Sequence, residues 1–302
     1  MMSARFLTVV LERAFNMRDG FGREIDYMRI SVIDSCNLNC YYCNPCDNNE
    51  HCHALNILSV KEVLCIVRAA TRLGIKHFRL TGGEPLLHPQ LDEMVLQIKK
   101  IPGVSSVSLT TNAVLLAQHA KWLKEAGIDS INVSLDTIDA SEYERITKKP
   151  LLEEVKHGIN AAIECGIRVK INVVLTPQTD VVALTRYVAK KGTDIRFIEM
   201  MPVGEGHTNG VEPYKKVIGT LSKLYGEPCR INTEKTKEIN SGNDKRKIPD
   251  NGPAEYYIFP ELGIRVGLIQ AIHGKFCATC NRIRVTADGR LMPCLGSSVT
   301  MD

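Results

Sequence analysis

From residue 28 onward, short runs rich in β-branched residues alternate with longer segments whose apolar positions recur every three or four residues. The short runs are MRISVI (28–33), KHFRLT (76–81), VSSVSLT (104–110), DSINVSL (129–135), RVKINVVL (168–175) and DIRFIEM (194–200), and each is expected to form a strand. Between them lie amphipathic stretches such as SVKEVLCIVRAATRLG, PQLDEMVLQIKKI, LLAQHAKWLKEAG and LLEEVKHGINAAIECG. The recurring LGI, AGI and CGI mark helix ends, where glycine takes the left-handed cap before the next strand. Six strand–helix units in series predict a parallel sheet. A closed eight-fold barrel would need two more, so the expected fold is α/β, an incomplete (βα)6 TIM-like barrel with its functional groups at the C-terminal ends of the strands.

The pattern changes after about residue 230. NTEKTKEINSGNDKRKIPDNGPAEYY reads as a long polar connection, followed by short strands at 256–259, 263–268 and 283–286. TADGRLMPC places Asp288-Gly289 between alternating residues, the signal of a two-residue hairpin. The expected division is a barrel over 1–235 and a small appendage over 236–302 that closes over it.

Composition adds little to this picture and excludes some classes. The 302 residues are 44% hydrophobic and 24% charged, ordinary for a globular chain. The formal charge of +4 is too weak to argue for nucleic acid without a concentrated patch. The densest basic run, NDKRK at 243–247, reads as a solvated loop. The N-terminal MMSARFLTVVLERAFNMRDG carries neither a cleavable signal pattern nor a membrane span. A cytoplasmic protein with no membrane or nucleic-acid partner is expected.

The eleven cysteines change the picture more. An odd count in a long chain without a secretory signal is poorly explained by disulfides, so clustered thiols point to metal. Cys65 and Cys165 sit alone on helical patterns and are expected as buried small hydrophobes. CNLNCYYC puts Cys36, Cys40 and Cys43 on the loop after the first strand. Three thiolates are one short of a closed zinc site, whereas a four-iron cluster held by three keeps one iron open for a small molecule. A zinc knuckle completed by Cys46, His51, Cys52 or His53 remains the alternative. At the end of the second strand, LTGGEP offers two glycines that permit close backbone approach and Glu84, which can receive an ammonium group. A plain turn would read the same way. FCATCNRIRVTADGRLMPC holds a second trio, Cys277, Cys280 and Cys294, with Arg282 and Arg284 on one side of the strand that follows. Two guanidiniums there suit a polyphosphate or, alternatively, paired carboxylates.

The Cys-x3-Cys-x2-Cys run with Tyr42 before its last thiol, together with GGEP, resembles the radical S-adenosylmethionine superfamily. With CNRIRVTADG and RFIEMMPVG, the chain is similar within it to the GTP 3′,8-cyclases that open molybdenum-cofactor (molybdopterin) biosynthesis. The resemblance implies two 4Fe–4S clusters, on Cys36, Cys40 and Cys43 and on Cys277, Cys280 and Cys294. It implies S-adenosylmethionine against Tyr42, Gly83, Glu84, Ser134 and Met201. GTP would meet Arg29, Arg79, Thr110, Lys170, Arg282, Ile283 and Arg284, with Arg29, Arg282 and Arg284 catalytic. It further implies a downstream cyclic pyranopterin synthase, a reductant such as flavodoxin or ferredoxin, and leaves a homodimer open.

Three features depart from the family pattern. The family's chains continue past the position of Asp302 to a Gly-Gly tail, so the appendage is expected to be truncated. His77 stands where the family has a lysine, and NPCDNNEHCH is unusually rich in Cys and His. Two other classes remain open: another radical enzyme acting on a peptide or small molecule with one auxiliary cluster, and a zinc-stabilised binding module.

Overall fold

The computed structural model describes residues 17–43, 56–202, 210–231, 252–297 and 299–301. Cys46, His51, Cys52, His53 and the NDKRK run lie outside the described residues, as does the expected boundary at 235/236. Strands β1 (Tyr27–Ser31), β2 (His77–Thr81), β3 (Ser106–Thr111), β4 (Ser130–Ser134), β5 (Val169–Leu175) and β6 (Asp194–Glu199) pair in that order, all parallel. Helices α1 (Val60–Arg72), α2 (Leu91–Lys99), α3 (Leu116–Glu125), α4 (Ala140–Thr147), α5 (Leu152–Glu164) and α6 (Val181–Lys190) form the crossovers. Ser59 and Glu62 close a capping box on α1, and Asp139 and Asp180 cap α4 and α6. The expected glycine caps are present, with Gly74, Gly127 and Gly166 at φ of 91°, 88° and 68°.

The C-terminal third adds its strands to the barrel's own sheet. After α7 (Gly219–Tyr225), strands β7 (Cys229–Ile231), β8 (Glu255–Ile258), β9 (Arg265–Ile269), β10 (Arg282–Val285) and β11 (Leu291–Met292) join the same sheet. β9 pairs parallel with β6 at one side, and β10 pairs parallel with β1 at the other. The order is β11-β10-β1-β2-β3-β4-β5-β6-β9-β8-β7, an open eleven-stranded sheet. The two parallel strands missing from the six-unit pattern thus come from the C-terminal region. A buried ion pair fixes one junction, Arg265 Nε donating to Asp194 Oδ1 at 3.1 Å. The hairpin differs from expectation in length: Thr286 N donates to Arg290 O at 2.9 Å, leaving Ala287-Asp288-Gly289 as a three-residue loop with Gly289 at φ 87°.

Alternation along the strands sorts the residues into two faces. Met28, Ile30, Phe78, Leu80, Val107, Leu109, Ile131, Val133, Ile171, Val173, Ile195 and Phe197 are buried in the principal core cluster. They share it with the apolar stripes of the helices, among them Val63 and Val67, Met94 and Ile98, Leu123 and Ile159. Cys165 packs against this core, but Cys65 is exposed, contrary to expectation, because it falls two positions from both Val63 and Val67, on the opposite side of the helix from that buried stripe. Among the described residues, no helix is long and apolar enough to cross a membrane.

Candidate functional site

The other face of the sheet is polar, and strand register shows how. Parallel pairing aligns Arg284, Arg29, Arg79, Ser108 and Ser130 in one row, and Arg282, Tyr27, His77 and Ser106 in the row below it. Thr110, Asn132, Lys170 and Asp194 form a third row, and Ser134, Asn172, Arg196 and Gly267 a fourth. The row of four ends on Gly267 for a steric reason: a Cβ there would stand 2.8 Å from Arg196 Cγ and 3.0 Å from the Tyr256 ring. Arg196 Nε donates to Asn172 Oδ1 at 3.0 Å.

Arginines crowd the first two rows of this face, with Arg284, Arg29 and Arg79 side by side and Arg282 next to Tyr27. Burial, then the neighbouring Arg284, pulls Arg29 down to about 9. Burial and Arg282 likewise lower Arg284. Arg79 donates to the Tyr27 hydroxyl and, at 3.3 Å, to Leu109 O and Thr110 Oγ1. The Nε atoms of Arg29 and Arg282 are buried with no hydrogen-bond partner among the described residues. Buried donors of this kind need an acceptor, and like charges packed together need a polyanion. His77, by contrast, sits at the start of β2 and contacts Ser106 Oγ at 2.8 Å with its ring stacked on Tyr27.

The first cysteine trio follows β1 at the C-terminal end of the sheet. Its loop is tied to the last turn of α4, Asn39 N donating to Thr147 O at 3.0 Å and Tyr41 N to Ile146 O at 3.1 Å. Those carbonyls are the orphans every helix end leaves, and here the cysteine loop satisfies them. Tyr42 donates its hydroxyl to Asp136, whose other oxygen accepts from Val174 N at 2.7 Å. Burial raises Asp136 to about 6. Burial is also the first cause raising the thiols of Cys36, Cys40 and Cys43, with Cys40 pushed up to about 12.

GGEP does something other than expected. A Cβ on Gly83 would lie 2.1 Å from Ser35 O and 2.4 Å from Asp34 O, and one on Gly82 would lie 2.2 Å from Ile33 O. The close approach is to the cysteine loop's own backbone, stitched by Gly83 N to Ile33 O and Glu84 N to Ser35 O, both at 2.8 Å. Glu84 is likewise turned inward, 1% exposed. Its carboxylate accepts from Thr111 Oγ1 and Asn112 N, each at 2.7 Å, and from Leu86 N at 3.0 Å, so it braces the chain at this strand end. Asn112 then reaches Asn37 Oδ1 at 2.7 Å and lies 3.8 Å from Cys36 Sγ. The next residue, Ala113, holds φ at 65° and its carbonyl packs against Gly158, where a Cβ would come to 2.3 Å.

Three donors converging on Glu84 demand an acceptor-only group, so glutamine should fit poorly. Burial raises Glu84 to about 7, above its ordinary 4.5. Folding stability should therefore fall as pH rises from about 4.5 to 7, the range in which the unfolded chain loses this proton first. Glu84→Gln should be less stable near pH 5 and lack that slope, as urea titrations across this range would show.

The second trio lies at the opposite end of the sheet. Arg282 pairs with Tyr27 at the start of β1, so Cys277 and Cys280 precede the N-terminal end of the strands. β11 returns antiparallel with Met292 opposite Arg284, which carries Cys294 back towards the level of Arg282. The polar face thus runs between two thiol trios, instead of having every functional group at the C-terminal strand ends. Among the described residues, no three His, Cys, Asp or Glu side chains converge on a single ion. Three thiols per trio suit a multi-iron cluster that keeps one iron open better than a closed four-ligand zinc site.

The remaining expected residues are dispersed around this face, except Ile283, which aligns with Met28 and packs against the core. Ser134 is exposed at the end of β4, Thr110 and Ile283 are half-buried, and Met201 follows β6. Asp136, Asn112 and Arg196 were not singled out, although NVSLD, LTTNA and RFIEM contain them. The period-two polar positions Ser108–Thr110, Asn132–Ser134 and Lys170–Asn172 were the available signal.

Residues 30–184 match the Radical SAM superfamily, and residues 193–302 match Molybdenum Cofactor Synthesis C. A GTP 3′,8-cyclase of Clostridium perfringens (strain SM101 / Type A) is 37% identical over 282 residues, covering 92% of this chain and 83% of the relative. One from Pelotomaculum thermopropionicum is 38% identical over 286 residues, covering 92% and 84%. Among solved structures, Streptococcus suis SuiB has a TM-score of 0.63 at 15% identity, over 92% of this chain. The chain spans 63% of the length of SuiB. Native anSMEcpe with bound AdoMet has a TM-score of 0.60 at 18% identity, over 90% of this chain and 75% of that one. At these identities the likeness is one of fold.

Proposed function

The chain belongs to the radical S-adenosylmethionine superfamily and, within it, to the GTP 3′,8-cyclases, and from that premise we propose that it converts GTP to (8S)-3′,8-cyclo-7,8-dihydroguanosine 5′-triphosphate, the first step of molybdenum-cofactor biosynthesis. S-adenosylmethionine and an iron–sulfur cluster come with the superfamily. A count of two clusters, one per cysteine trio, is part of the proposal. The observation that carries it is the cation-rich sheet face bounded by those trios. The Nε donors of Arg29 and Arg282 have no acceptor among the described residues, and a triphosphate brings several anionic oxygens.

When bound at Cys36, Cys40 and Cys43, the first cluster with S-adenosylmethionine supplies an electron and a hydrogen-abstracting alkyl radical. The chain's own residues position and shield. Tyr42, Gly83, Ser134 and Met201 lie at the cofactor end, with Glu84 and Asp136 bracing from beneath. Arg29, Arg79, Lys170, Arg282 and Arg284 would hold the triphosphate so that ribose C3′ and guanine C8 face each other for closure. Thr110 lines the same stretch, Ile283 lies between the two arginines with its side chain against the core, and Cys277, Cys280 and Cys294 would hold the second cluster at the purine end. The reading places the enzyme in the cytoplasm, supplied by flavodoxin or ferredoxin and followed by a cyclic pyranopterin synthase.

The test is anaerobically reconstituted protein with dithionite and S-adenosylmethionine, with and without GTP, assayed for 5′-deoxyadenosine and for a cyclised nucleotide by mass spectrometry. Deoxyadenosine without a GTP-derived product would leave the superfamily and overturn the substrate. Arg284→Ala should weaken GTP binding by about 10- to 100-fold, the loss of one or two charge-assisted bonds. Deoxyadenosine formation without GTP should survive in that variant. Equilibrium dialysis with GTP checks the first expectation, and unchanged affinity would remove Arg284 from the phosphate site.

A further inference from the structure

The motif DGFGR, residues 19–23, plays no part in the reading above, yet it forms a built device against the second cysteine trio. Asp19 folds the five residues around itself. Its Oδ1 accepts from Phe21 N at 3.0 Å and Arg23 N at 2.9 Å, and its Oδ2 accepts from Arg23 Nε at 2.6 Å. Asp19 N donates to Arg23 O at 3.1 Å, and Gly22 turns the chain at φ 76°. The guanidinium is thereby fixed before it meets anything else. Its remaining nitrogen, Nη1, donates to Cys277 O at 2.6 Å.

That carbonyl is the hinge of the trio. It also accepts from Cys280 N at 3.3 Å, closing the turn that sets the spacing of Cys277 and Cys280. The neighbouring segment is laced down separately, Asn281 Nδ2 donating to Asp26 Oδ1 at 2.6 Å and Tyr27 N to Asn281 O at 3.3 Å. An aspartate-oriented arginine on the ligand turn acts in two ways: it holds the thiols at a fixed spacing, and it places a permanent positive charge beside whatever they bind. We propose that Arg23, oriented by Asp19, is a positioning residue for the C-terminal cluster, setting its ligand turn and raising its reduction potential. This rests on the reading of the second trio as a cluster site. The sign follows from charge: reduction adds an electron to an anionic cluster, and a fixed cation favours the more negative state.

The experiment compares reconstituted wild type, Arg23→Met, Arg23→Lys and a triple variant with Cys277, Cys280 and Cys294 changed to alanine. The readouts are iron and sulfide per chain and an electron paramagnetic resonance redox titration. Arg23→Met is expected to lose iron towards the level of the triple variant. Its residual C-terminal cluster should reduce at lower potential while the N-terminal signal stays put, and Arg23→Lys should recover part of the potential. An unchanged potential in Arg23→Met overturns the inference even if iron is lost, because general loosening would do as much. A triple variant that keeps all its iron overturns the cluster reading beneath it. Should Arg23→Met fail to fold, Asp19→Asn unseats the same arginine and keeps its charge; full iron retention there overturns the positioning role, and iron loss with a native-like melting curve supports it.

Discussion

Gly83→Ala should strip the N-terminal cysteine loop of its iron and cost about 3 kcal/mol or more of stability, on the order of 5–10 °C in melting temperature for a chain of this size. The added methyl would lie 2.1 Å from Ser35 O and 2.4 Å from Asp34 O, which are backbone atoms with no flexible end to yield. Nor can the two segments part easily. Gly83 N and Glu84 N hold Ile33 O and Ser35 O at 2.8 Å, so a shift that relieves the methyl breaks both bonds. Cys36 follows Ser35 directly, so the displacement reaches the first ligand. Iron and sulfide per chain after reconstitution, with a melting curve of the metal-free protein, check both parts. Gly219→Ala is the control, since nothing stands within 4 Å of a Cβ at that position. A Gly83→Ala protein that melts and loads like wild type would show that the loop repacks freely.

Arg29→Met should do the opposite to stability and still destroy function. Burial and the adjacent Arg284 bring Arg29 from 12.5 to about 9, so keeping it charged works against folding at neutral pH. Replacing a buried, poorly matched charge by an apolar side chain of similar length stabilises by about 1–4 kcal/mol in comparable cases. The pH dependence has a definite sign. Above about 9 the unfolded chain keeps the proton that the folded chain gives up, so wild type should gain stability as pH rises past that point. Arg29→Met should lack that gain. GTP affinity should fall by about 100-fold or more, with loss of an interaction to a charged group worth about 3 kcal/mol. Inorganic tripolyphosphate gives a readout that needs no cluster: it should raise the melting temperature of wild type and hardly that of the variant. A destabilised Arg29→Met that still responds to tripolyphosphate would mean that Arg29 is not part of the anion site.

These two expectations show where sequence reading reached and where it stopped. The six strands fell within two residues of their observed bounds because alternation and glycine caps are local signals, and the inner polar residues were visible as every second position. Helix α4 was not drawn, and its Asp139 cap and eight residues are too short to show much periodicity. The backbone crossing at Gly83 was hidden for a different reason. A glycine at a strand end looks the same whether a ligand or another piece of backbone crosses it, and only the position of residues 33–35 decides. Tyr42 and Asp136 are 94 positions apart, so their contact had no local trace. The placement of the two cysteine trios at opposite ends depended on β10 pairing with β1, a long-range choice that no short window contains.

That same pairing has a consequence for how the protein comes into being. β1 and the turn of Asp19 reach their partners across a separation of 254 positions, as with Arg23 and Cys277. At synthesis rates of about 5–20 residues per second, the β1 edge waits roughly 10–50 s on the ribosome before β10 exists to cover it. During that interval its backbone donors are open to the wrong neighbour. Loading of the first trio can begin early, whereas the second trio becomes complete only when this late closure has occurred. If each trio takes a cluster, as proposed above, insertion is ordered in time by the topology, and rapid overexpression should yield chains that are sound at one end and misassembled at the other.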